Sequence, residues 1–226
     1  MIRLNMKIKS TLLTLALGLC YFSYGQLNYG IKVGVVQSKI KESMASPYQD
    51  MNFKSGFQVG AFVDFSLFKN FKLRPALQLT QKGYKAVEGK PEGPFYWYRN
   101  WSLTYLELPI DFVYNFPLSK NSKLYVGTGT VVGVGLIGNG KGIVSATDGA
   151  GQLHTQEGTG NHPFTKPGFK RMDLGVDFLV GIQFNRIMLS ANYNHGVINA
   201  LNYEQSIQST KHRSYAINIG YFFSKY

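Results

Sequence analysis

Cysteine is nearly missing from this chain, which holds a single thiol, Cys20, among 226 residues. Because Cys20 lies in an N-terminal segment that we expect to be removed, the mature chain would contain no cysteine. A disulfide framework and a cysteine-based metal site are therefore excluded from the mature protein. Beyond that segment the chain also lacks a run of about 20 consecutive apolar residues, so it offers no candidate for a membrane-spanning helix.

Charged side chains are scarce as well. They make up 16% of the chain, whereas an average soluble domain has about 25%. The 24 basic and 12 acidic residues give a net charge of +12, but the basic residues form no long run. This scatter argues against a nucleic-acid interface and favours contact with anionic lipid headgroups. Aromatic residues are abundant at 15%, and there are 25 glycines, a composition typical of a membrane β-barrel.

Residues 1–25 have the pattern of a secretory signal peptide. Lys7 and Lys9 precede the apolar run TLLTLALGLCYF, and small residues precede a cleavage site before Gln26. Met1 and Met6 are both candidate start codons. Lipid attachment at Cys20 is an alternative that the bulky residue directly before it disfavours. We therefore expect an exported protein whose single mature domain covers residues 26–226.

The end of the chain, RSYAINIGYFFSKY, alternates between two kinds of side chain. A period of two predicts a β-strand that lies between two different environments. Phe222 alone breaks the pattern, and the chain ends on an aromatic residue, Tyr226. The continuous apolar face predicts the closing strand of a transmembrane β-barrel, with Asn218 facing the lumen. The residues on the apolar face are Tyr215, Ile217, Ile219, Tyr221 and Phe223.

Seven further stretches alternate in the same way. They cover residues 27–36, 56–68, 71–83, 103–116, 123–136, 172–184 and 187–195. Long gaps (37–55, 84–102, 137–171 and 196–212) alternate with short turns at Lys69–Asn70, Pro117–Ser122 and Asn185–Arg186. This rhythm predicts an all-β fold, an eight-stranded antiparallel up-and-down transmembrane β-barrel. Both termini would then be periplasmic and the long loops extracellular. A soluble, lipocalin-like barrel is the alternative, and it would place its apolar side chains inside.

If the apolar face meets lipid, a defined set of charged side chains faces the lumen. The set is Lys32, Lys72, Arg74, Lys82, Asp64, Glu107, Asp111, Asp173 and Asp177. An eight-stranded barrel is just wide enough for its side chains to fill it. We therefore predict a filled lumen in which these nearly balanced charges form an internal network, because unpaired charges there are costly. A proton or ion path, or a catalytic carboxylate pair, is the alternative.

The carboxylates offer little support for catalysis. Glu107 and Asp111 lie four residues apart, as do Asp173 and Asp177. On a strand this spacing corresponds to roughly 13 Å, which is too far for a shared acid/base dyad within one strand. Carboxylates on neighbouring strands could still approach each other.

His195 is the other enzyme signal. It lies near Ser190 and Asn192, the residue types of a membrane-embedded lipid A deacylase, but no motif surrounds it, which favours a surface histidine. The remaining histidines are predicted in loops without metal-ligand spacing: His154, His162 and His212. The glycine-rich GNGKG at 138–142 lacks the strand–loop–helix context of a phosphate loop. We expect no cofactor, no metal and no enzymatic activity.

The second long gap is rich in aromatic residues. They are Phe95, Tyr96, Trp97, Tyr98 and Trp101. One interpretation is that they belong to the aromatic girdle at the membrane interface. The other is that they form a loop patch that binds a protein or a glycan, since exposed aromatic side chains are favoured anchors.

Five stretches together resemble the PorT-like outer-membrane β-barrel proteins of Bacteroidetes. They are GIKVG (30–34), LRPALQLTQKG (73–83), YLELPID (105–111), DLGVDFLVGIQF (173–184) and INIGYFF (217–223). The resemblance covers most of the mature chain and implies an outer-membrane barrel. The family includes proteins linked to type IX secretion and gliding, so it also implies a secretion role, but it carries over no catalytic residue.

These observations lead to three hypotheses of different kinds. The first is a non-enzymatic outer-membrane barrel with a structural or accessory role, embedded in outer-membrane lipid, whose extracellular loops make contacts. The second is a component of type IX secretion or envelope assembly that acts through other envelope or secretion proteins. The third is a membrane-embedded lipid-modifying hydrolase.

Overall fold

The computed structural model describes residues 27–42, 50–91, 93–164, 168–201 and 210–223. The expected signal peptide and Tyr226 lie outside these residues. Within them the chain forms ten β-strands. The strands are β1 Asn28–Glu42, β2 Asp50–Asn52, β3 Lys54–Phe68, β4 Phe71–Gly89, β5 Phe95–Pro117, β6 Ser122–Thr147, β7 Leu153–Gly160, β8 Met172–Phe184, β9 Ile187–Gly196 and β10 Thr210–Phe222. The described part of the chain contains no helix that is long and apolar enough to span a membrane.

Eight of the strands pair in a closed antiparallel circuit. β1 pairs with β3, β3 with β4, β4 with β5 and β5 with β6. The circuit continues from β6 through β8 and β9 to β10, and β10 pairs with β1. Neighbours in the circuit are also neighbours in sequence, apart from the two extra strands β2 and β7. The prediction of an eight-stranded antiparallel up-and-down barrel is therefore confirmed.

The short turns lie at the predicted positions. Two of them contain a residue with positive φ, Lys69 at 34° and Asn185 at 50°. Positive φ is what two-residue hairpin turns require, and Asn adopts it more readily than most residues. The third short turn is closed by the Leu118 N–H, which donates to the Ser122 carbonyl at 3.0 Å. All three turns lie at one end of the barrel, here the turn end, and the other end is the long-strand end.

The two faces of the strands have the predicted environments. On β1 the alternate residues Tyr29 to Val35 are 50–63% exposed, and Ile217 and Ile219 on β10 are 59% and 54% exposed. Asn218, between them, is fully buried in the lumen. Phe222, which breaks the alternation, also turns inward and is fully buried. Large apolar side chains thus cover the outside, which rules out the soluble barrel, whose outer face would be polar.

Aromatic side chains border this apolar band at both ends. At the turn end the Tyr29 and Phe223 rings are 5.8 Å apart, and further rings follow at Phe68, Phe71, Tyr114 and Phe116. At the other border lies a row of four rings that we call the upper aromatic row: Phe53, Phe178, Tyr193 and Tyr215. Nine residues of the chain run from Tyr215 to Phe223, which matches the roughly 9–11 residues of a transmembrane strand.

The strands are longer than the alternating apolar pattern, so the predicted long gaps are wrong in extent. β1 continues to Glu42, β4 to Gly89 and β6 to Thr147, while β5 begins at Phe95. β7 forms inside the longest predicted gap and pairs with β6 over Gly140–Thr147. The reason is that backbone pairing does not need an apolar outer face once the strands leave the lipid. Glycine, aromatic and polar residues continue the ladder there while the apolar alternation fades.

Replacing a lipid-facing residue by a charged one tests which face meets the membrane. We expect Ile219→Arg to lower the free energy of unfolding in lipid vesicles by about 2–4 kcal/mol, because an arginine near the bilayer midplane loses its hydration. Urea titration monitored by the gel mobility of unheated samples measures this change. Ile219→Val is the matched control and should cost far less. An Ile219→Arg effect within about 0.5 kcal/mol, as at a water-exposed site, would contradict the assignment.

Candidate functional site

The nine charged residues predicted to face the lumen are all buried inside the barrel. The least buried is Lys32, at 9% exposure, and Asp64 has none. They project from β1, β3, β4, β5 and β8, so five strands contribute to one interior. The structure brings six of them into two groups of ion pairs and leaves three between those groups.

The first group lies towards the turn end and is centred on Asp64. Arg74 donates to it through two bonds, Nε to Oδ1 at 2.5 Å and Nη2 to Oδ2 at 2.9 Å. Lys72 Nζ lies 3.6 Å from Asp64 Oδ2. The Arg74 guanidinium also lies 4.9 Å from the ring centre of Tyr125 and 5.3 Å from that of Phe62. A two-bond carboxylate pair with aromatic faces around the cation is among the strongest arrangements available to a buried arginine.

The second group lies towards the long-strand end and is centred on Lys82. Its ammonium is 2.5 Å from Glu107 Oε1 and 2.9 Å from Asp173 Oδ2. Glu107 Oε2 also accepts hydrogen bonds from the Thr80 hydroxyl at 2.6 Å and from Gln78 Nε2 at 2.9 Å. One cation therefore joins carboxylates from β5 and β8, and neutral donors satisfy the remaining oxygen of Glu107.

Lys32, Asp111 and Asp177 lie between the two groups. No distance of 4.0 Å or less joins the Lys32 ammonium to any described carboxylate. Asn192 donates from Nδ2 to Asp177 Oδ2 at 2.7 Å, and Asn218 donates to Asn192 Oδ1 at 3.0 Å. A cavity of ≈ 20 Å³ beside Lys32 and Asp177 has room for about one water molecule. The interior charges are thus held in three local sets, not in one continuous network.

Apolar side chains close the lumen at two levels, on either side of the Lys82 group and of Lys32, Asp111 and Asp177, while the Arg74 group packs against the turn-end level. The turn-end plug consists of Phe62, Ala76, Val113, Tyr125, Leu179, Met188 and Phe222. The long-strand-end plug consists of Ile40, Tyr84, Ala86, Leu103, Tyr105, Phe169 and Ala200, with Trp97, Trp101, Phe164 and Leu201 packed against it. Glycines make room for the rings, since a Cβ at Gly181 would collide with the Tyr125 ring.

The sequence predicted a filled lumen but not the two plugs that fill it. The available signal was the presence of large aromatic residues at lumen-facing positions, such as Phe62, Tyr105 and Tyr125. Phe222 carried the same signal as the one break in the closing strand. Phe164 and Phe169 carried no signal, because they come from an unpatterned stretch between β7 and β8.

The aromatic residues of the second predicted gap do not form a loop patch. All five lie on β5, and the strand divides them between its faces. Trp97 and Trp101 pack against the long-strand-end plug, where Trp101 meets the Phe169 ring edge-on at 5.5 Å. Tyr96 and Tyr98 alternate with them and lie on the outer face, and Phe95 is 43% exposed at the start of the strand. The prediction of a single loop patch was wrong because the strand continues through it.

The candidate hydrolase residues do not converge. Ser190 and Asn192 lie on the lumen side of β9, whereas His195 lies on the outer side. His195 Nδ1 is 3.1 Å from the Tyr193 hydroxyl, and its Nε2 is 2.8 Å from Arg213 Nη2. A serine and a histidine on opposite faces of a strand cannot exchange a proton directly, so this pair has no nucleophile–base geometry.

Three other polar features differ from the sequence-based predictions. His212, predicted in a loop, is buried in β10 with Nε2 3.4 Å from the Tyr105 hydroxyl. The GNGKG stretch is part of β6 and pairs with both β5 and β7. His154 lies on β7, and its Nε2 is 2.8 Å from Asp148 Oδ2 in the β6–β7 turn. This hydrogen bond, together with backbone N–H donors from that turn, lowers the pKa of Asp148.

Comparison with known proteins identifies the type of barrel. The family described as "Outer membrane protein beta-barrel domain" matches residues 10–202. Similar solved structures include Ail, the attachment invasion locus protein of Yersinia pestis, with 17% identity over 87% of this chain and 99% of that chain and a TM-score of 0.39. Neisserial surface protein A has 14% identity over 85% and 96%, with a TM-score of 0.43. OprG from Pseudomonas aeruginosa has 13% identity over 88% and 97%, with a TM-score of 0.46. No curated protein matches the sequence.

Removing Lys82, the cation at the centre of the second ion group, tests how much this group stabilises the barrel. We expect Lys82→Met to lower the free energy of unfolding by about 3–5 kcal/mol, because Glu107 and Asp173 would remain buried without a counter-charge. The matched control is Lys141→Met, which breaks the exposed Lys141–Glu157 pair at 2.9 Å and should cost about 1 kcal/mol or less. Urea titration in vesicles compares the two variants. Equal costs would show that the buried pairs do not stabilise the barrel.

Proposed function

Because the chain belongs to the outer membrane protein β-barrel domain family, we propose that it is an integral outer-membrane barrel with a closed lumen and a structural or accessory role. In this proposal the barrel is neither a solute channel nor an enzyme. Its outer wall contacts membrane lipid, and its long-strand end contacts other molecules outside the membrane.

The closed lumen is the observation that carries this proposal. Two apolar plugs lie in series along the interior, on either side of the Lys82 group and of the set Lys32, Asp111 and Asp177. Tyr105 and Tyr125, the largest fully buried side chains, belong to one plug each. The cavity between the plugs measures ≈ 20 Å³, which is room for about one water and far less than a solute needs. An interior packed in this way supports rigidity and gives no route for transport.

The orientation forms part of the proposal. The three short turns lie at the same end as the start of β1 and the end of β10. In small outer-membrane barrels the short turns are periplasmic and the longer connections extracellular. The proposed arrangement therefore places β7 and the long-strand ends of β4, β5 and β6 outside the cell. β5 and β6, with 23 and 26 residues, are more than twice as long as a membrane crossing requires.

A non-enzymatic role is supported by the positions of the candidate catalytic groups. His195 lies on the opposite side of the barrel wall from Ser190, and the lumen carboxylates Glu107 and Asp173 are held by Lys82. Six of the nine lumen charges thus have ion-pair partners, and Ser190 has no histidine beside it. The hydrolase hypothesis has no assembled site on which to rest.

A second candidate function follows from the PorT-like resemblance and from one exposed strand. β7 pairs with β6 along one side, and no described residue pairs with its other side. Its side chains from Leu153 to Thr159 are exposed. An unpaired strand edge of this length can accept an extended segment of another chain. This candidate is a component of type IX secretion or envelope assembly that binds a partner protein through β7.

Conductance measurements test the closed lumen. In planar lipid bilayers we expect the wild-type barrel to produce no discrete current steps, because both plugs block ions. The Tyr105→Ala/Tyr125→Ala variant removes a large ring from each plug and should produce small steps if it folds. Each single variant serves as a control and should remain silent, since one plug is left. Steady wild-type steps of the same size as those of the double variant would contradict the proposal.

A gene-deletion strain separates the structural, secretion and enzymatic hypotheses. For the structural or accessory role we expect an unchanged secreted-protein profile and an unchanged mass spectrum of lipid A. Loss of a set of secreted proteins, restored by the wild-type gene, would support the secretion candidate over the leading one. A changed lipid A mass that an inactive-site variant such as His195→Ala fails to restore would support the hydrolase and contradict the non-enzymatic role.

A further inference from the structure

Four basic residues form a compact group on the outer wall of the barrel. β1 and β10 pair so that Lys39 lies opposite Arg213 and Lys41 lies opposite Lys211. These residues face outward, as Val35 and Ile217 do nearer the turn end of the same two strands. His195 on β9 lies opposite Arg213 and extends the row onto a third strand. We call Lys39, Lys41, Lys211 and Arg213 the cationic group.

The group has no internal counter-charge. Like charges directly opposite each other on neighbouring strands destabilise a sheet, and here two such pairs are adjacent. No ion pair within 4.0 Å joins any of the four cations to a carboxylate in the described part of the chain. The contrast with the lumen is clear, since Lys82 and Arg74 both have carboxylate partners there. Among the described residues the four positive charges are therefore uncompensated, which favours the binding of an anion.

Arg213 is held in place by neutral groups. Its Nη1 donates to the carbonyl oxygens of Gly196 and His212, both at 2.8 Å, and its Nη2 lies 2.8 Å from His195 Nε2. These contacts orient the guanidinium without neutralising it. Lys41 and Lys211, by contrast, make no hydrogen bond or ion pair to a described residue, so no described side chain competes with a ligand for their ammonium groups.

The height of the group on the barrel indicates what the ligand is. Tyr215, two residues from Arg213 on the same face, stacks on Tyr193 at 4.9 Å, and Phe53 lies 5.8 Å from Tyr215. Lys39 Nζ lies 4.6 Å from the centre of the Phe53 ring. The cationic group therefore lies directly beyond the upper aromatic row. Such aromatic rows sit at the level of the lipid headgroups, so the cations are at the level of headgroup phosphates.

We propose that the cationic group binds the phosphate of an anionic membrane lipid against the outer wall of β1 and β10. The proposal rests on the membrane location in the proposed function and adds a specific lipid site to it. The aromatic row would contact the lipid next to its headgroup, and the four cations would surround the phosphate oxygens. Basic residues near an anionic lipid surface each contribute a similar share of the attraction.

Lipid binding to the purified, detergent-solubilised barrel tests this site. Native mass spectrometry counts bound phosphatidic acid, an anionic phosphate lipid, and gives its apparent affinity. We expect Lys41→Gln/Lys211→Gln to bind it about thirtyfold more weakly than wild type, because two cations are lost. The matched control, Lys90→Gln/Lys141→Gln, removes the same charge away from the upper aromatic row and should bind as wild type does. Zwitterionic phosphatidylcholine should bind weakly and equally to all three proteins.

Two outcomes would overturn the proposal. The first is equal phosphatidic acid binding by wild type and Lys41→Gln/Lys211→Gln, with both shown to be folded by their mobility in unheated gels. The second is displacement of the lipid by millimolar inorganic phosphate, which would make the group a general anion site. Conductance is independent of this measurement. If the wild-type barrel conducts but still binds phosphatidic acid more tightly than Lys41→Gln/Lys211→Gln does, the closed-lumen function is wrong and the lipid site is supported.

Discussion

The structure depends on one constraint, that every backbone N–H and C=O inside a bilayer must find a partner within the protein. A sheet meets that constraint only when it closes on itself. Here closure is made by β1 and β10, the first and last strands, which pair from Gly30 to Glu42 and from Thr210 to Phe222. The strands inside the membrane therefore have no free edge. The free edge of β7 lies where pairing has continued beyond the aromatic rows and water can satisfy backbone groups.

Closing the circuit with eight strands makes the interior narrow. The narrow lumen determines how its charged and aromatic side chains are arranged. Charges in a confined space are stabilised by local counter-charges, as Asp64 is by Arg74 and as Lys82 is by Glu107 and Asp173. Large rings then form two plugs, on either side of the Lys82 group and of the set Lys32, Asp111 and Asp177. In the proposed function the inside of this barrel is therefore structural. Chemistry that distinguishes it from other small barrels has to lie on the outer wall or on the long-strand end.

The paired strands β6 and β7 differ from the outer wall of β1 and β10 in whether their cations have carboxylate partners. On the β6–β7 extension Lys141 has an exposed partner in Glu157, as is usual for charges in water. On the wall of β1 and β10 the cations face one another without a described carboxylate, next to stacked aromatic rings. A surface with uncompensated positive charge at headgroup level suits a membrane whose lipids carry phosphates. The same strands that close the barrel thus also contact the surrounding lipid.

The sequence alone determined the barrel, because strand alternation with an apolar outer face is a local property that residues such as Tyr215 to Phe223 carry themselves. It also identified the nine lumen-facing charges and the short turns at Lys69 and Asn185. Strand ends could not be predicted, since pairing beyond the lipid needs no apolar pattern. Partners across strands were likewise invisible: which carboxylate meets Lys82, how Trp101 reaches Phe169, and that Lys39 faces Arg213. Those depend on register around a closed circuit, which only the tertiary structure sets.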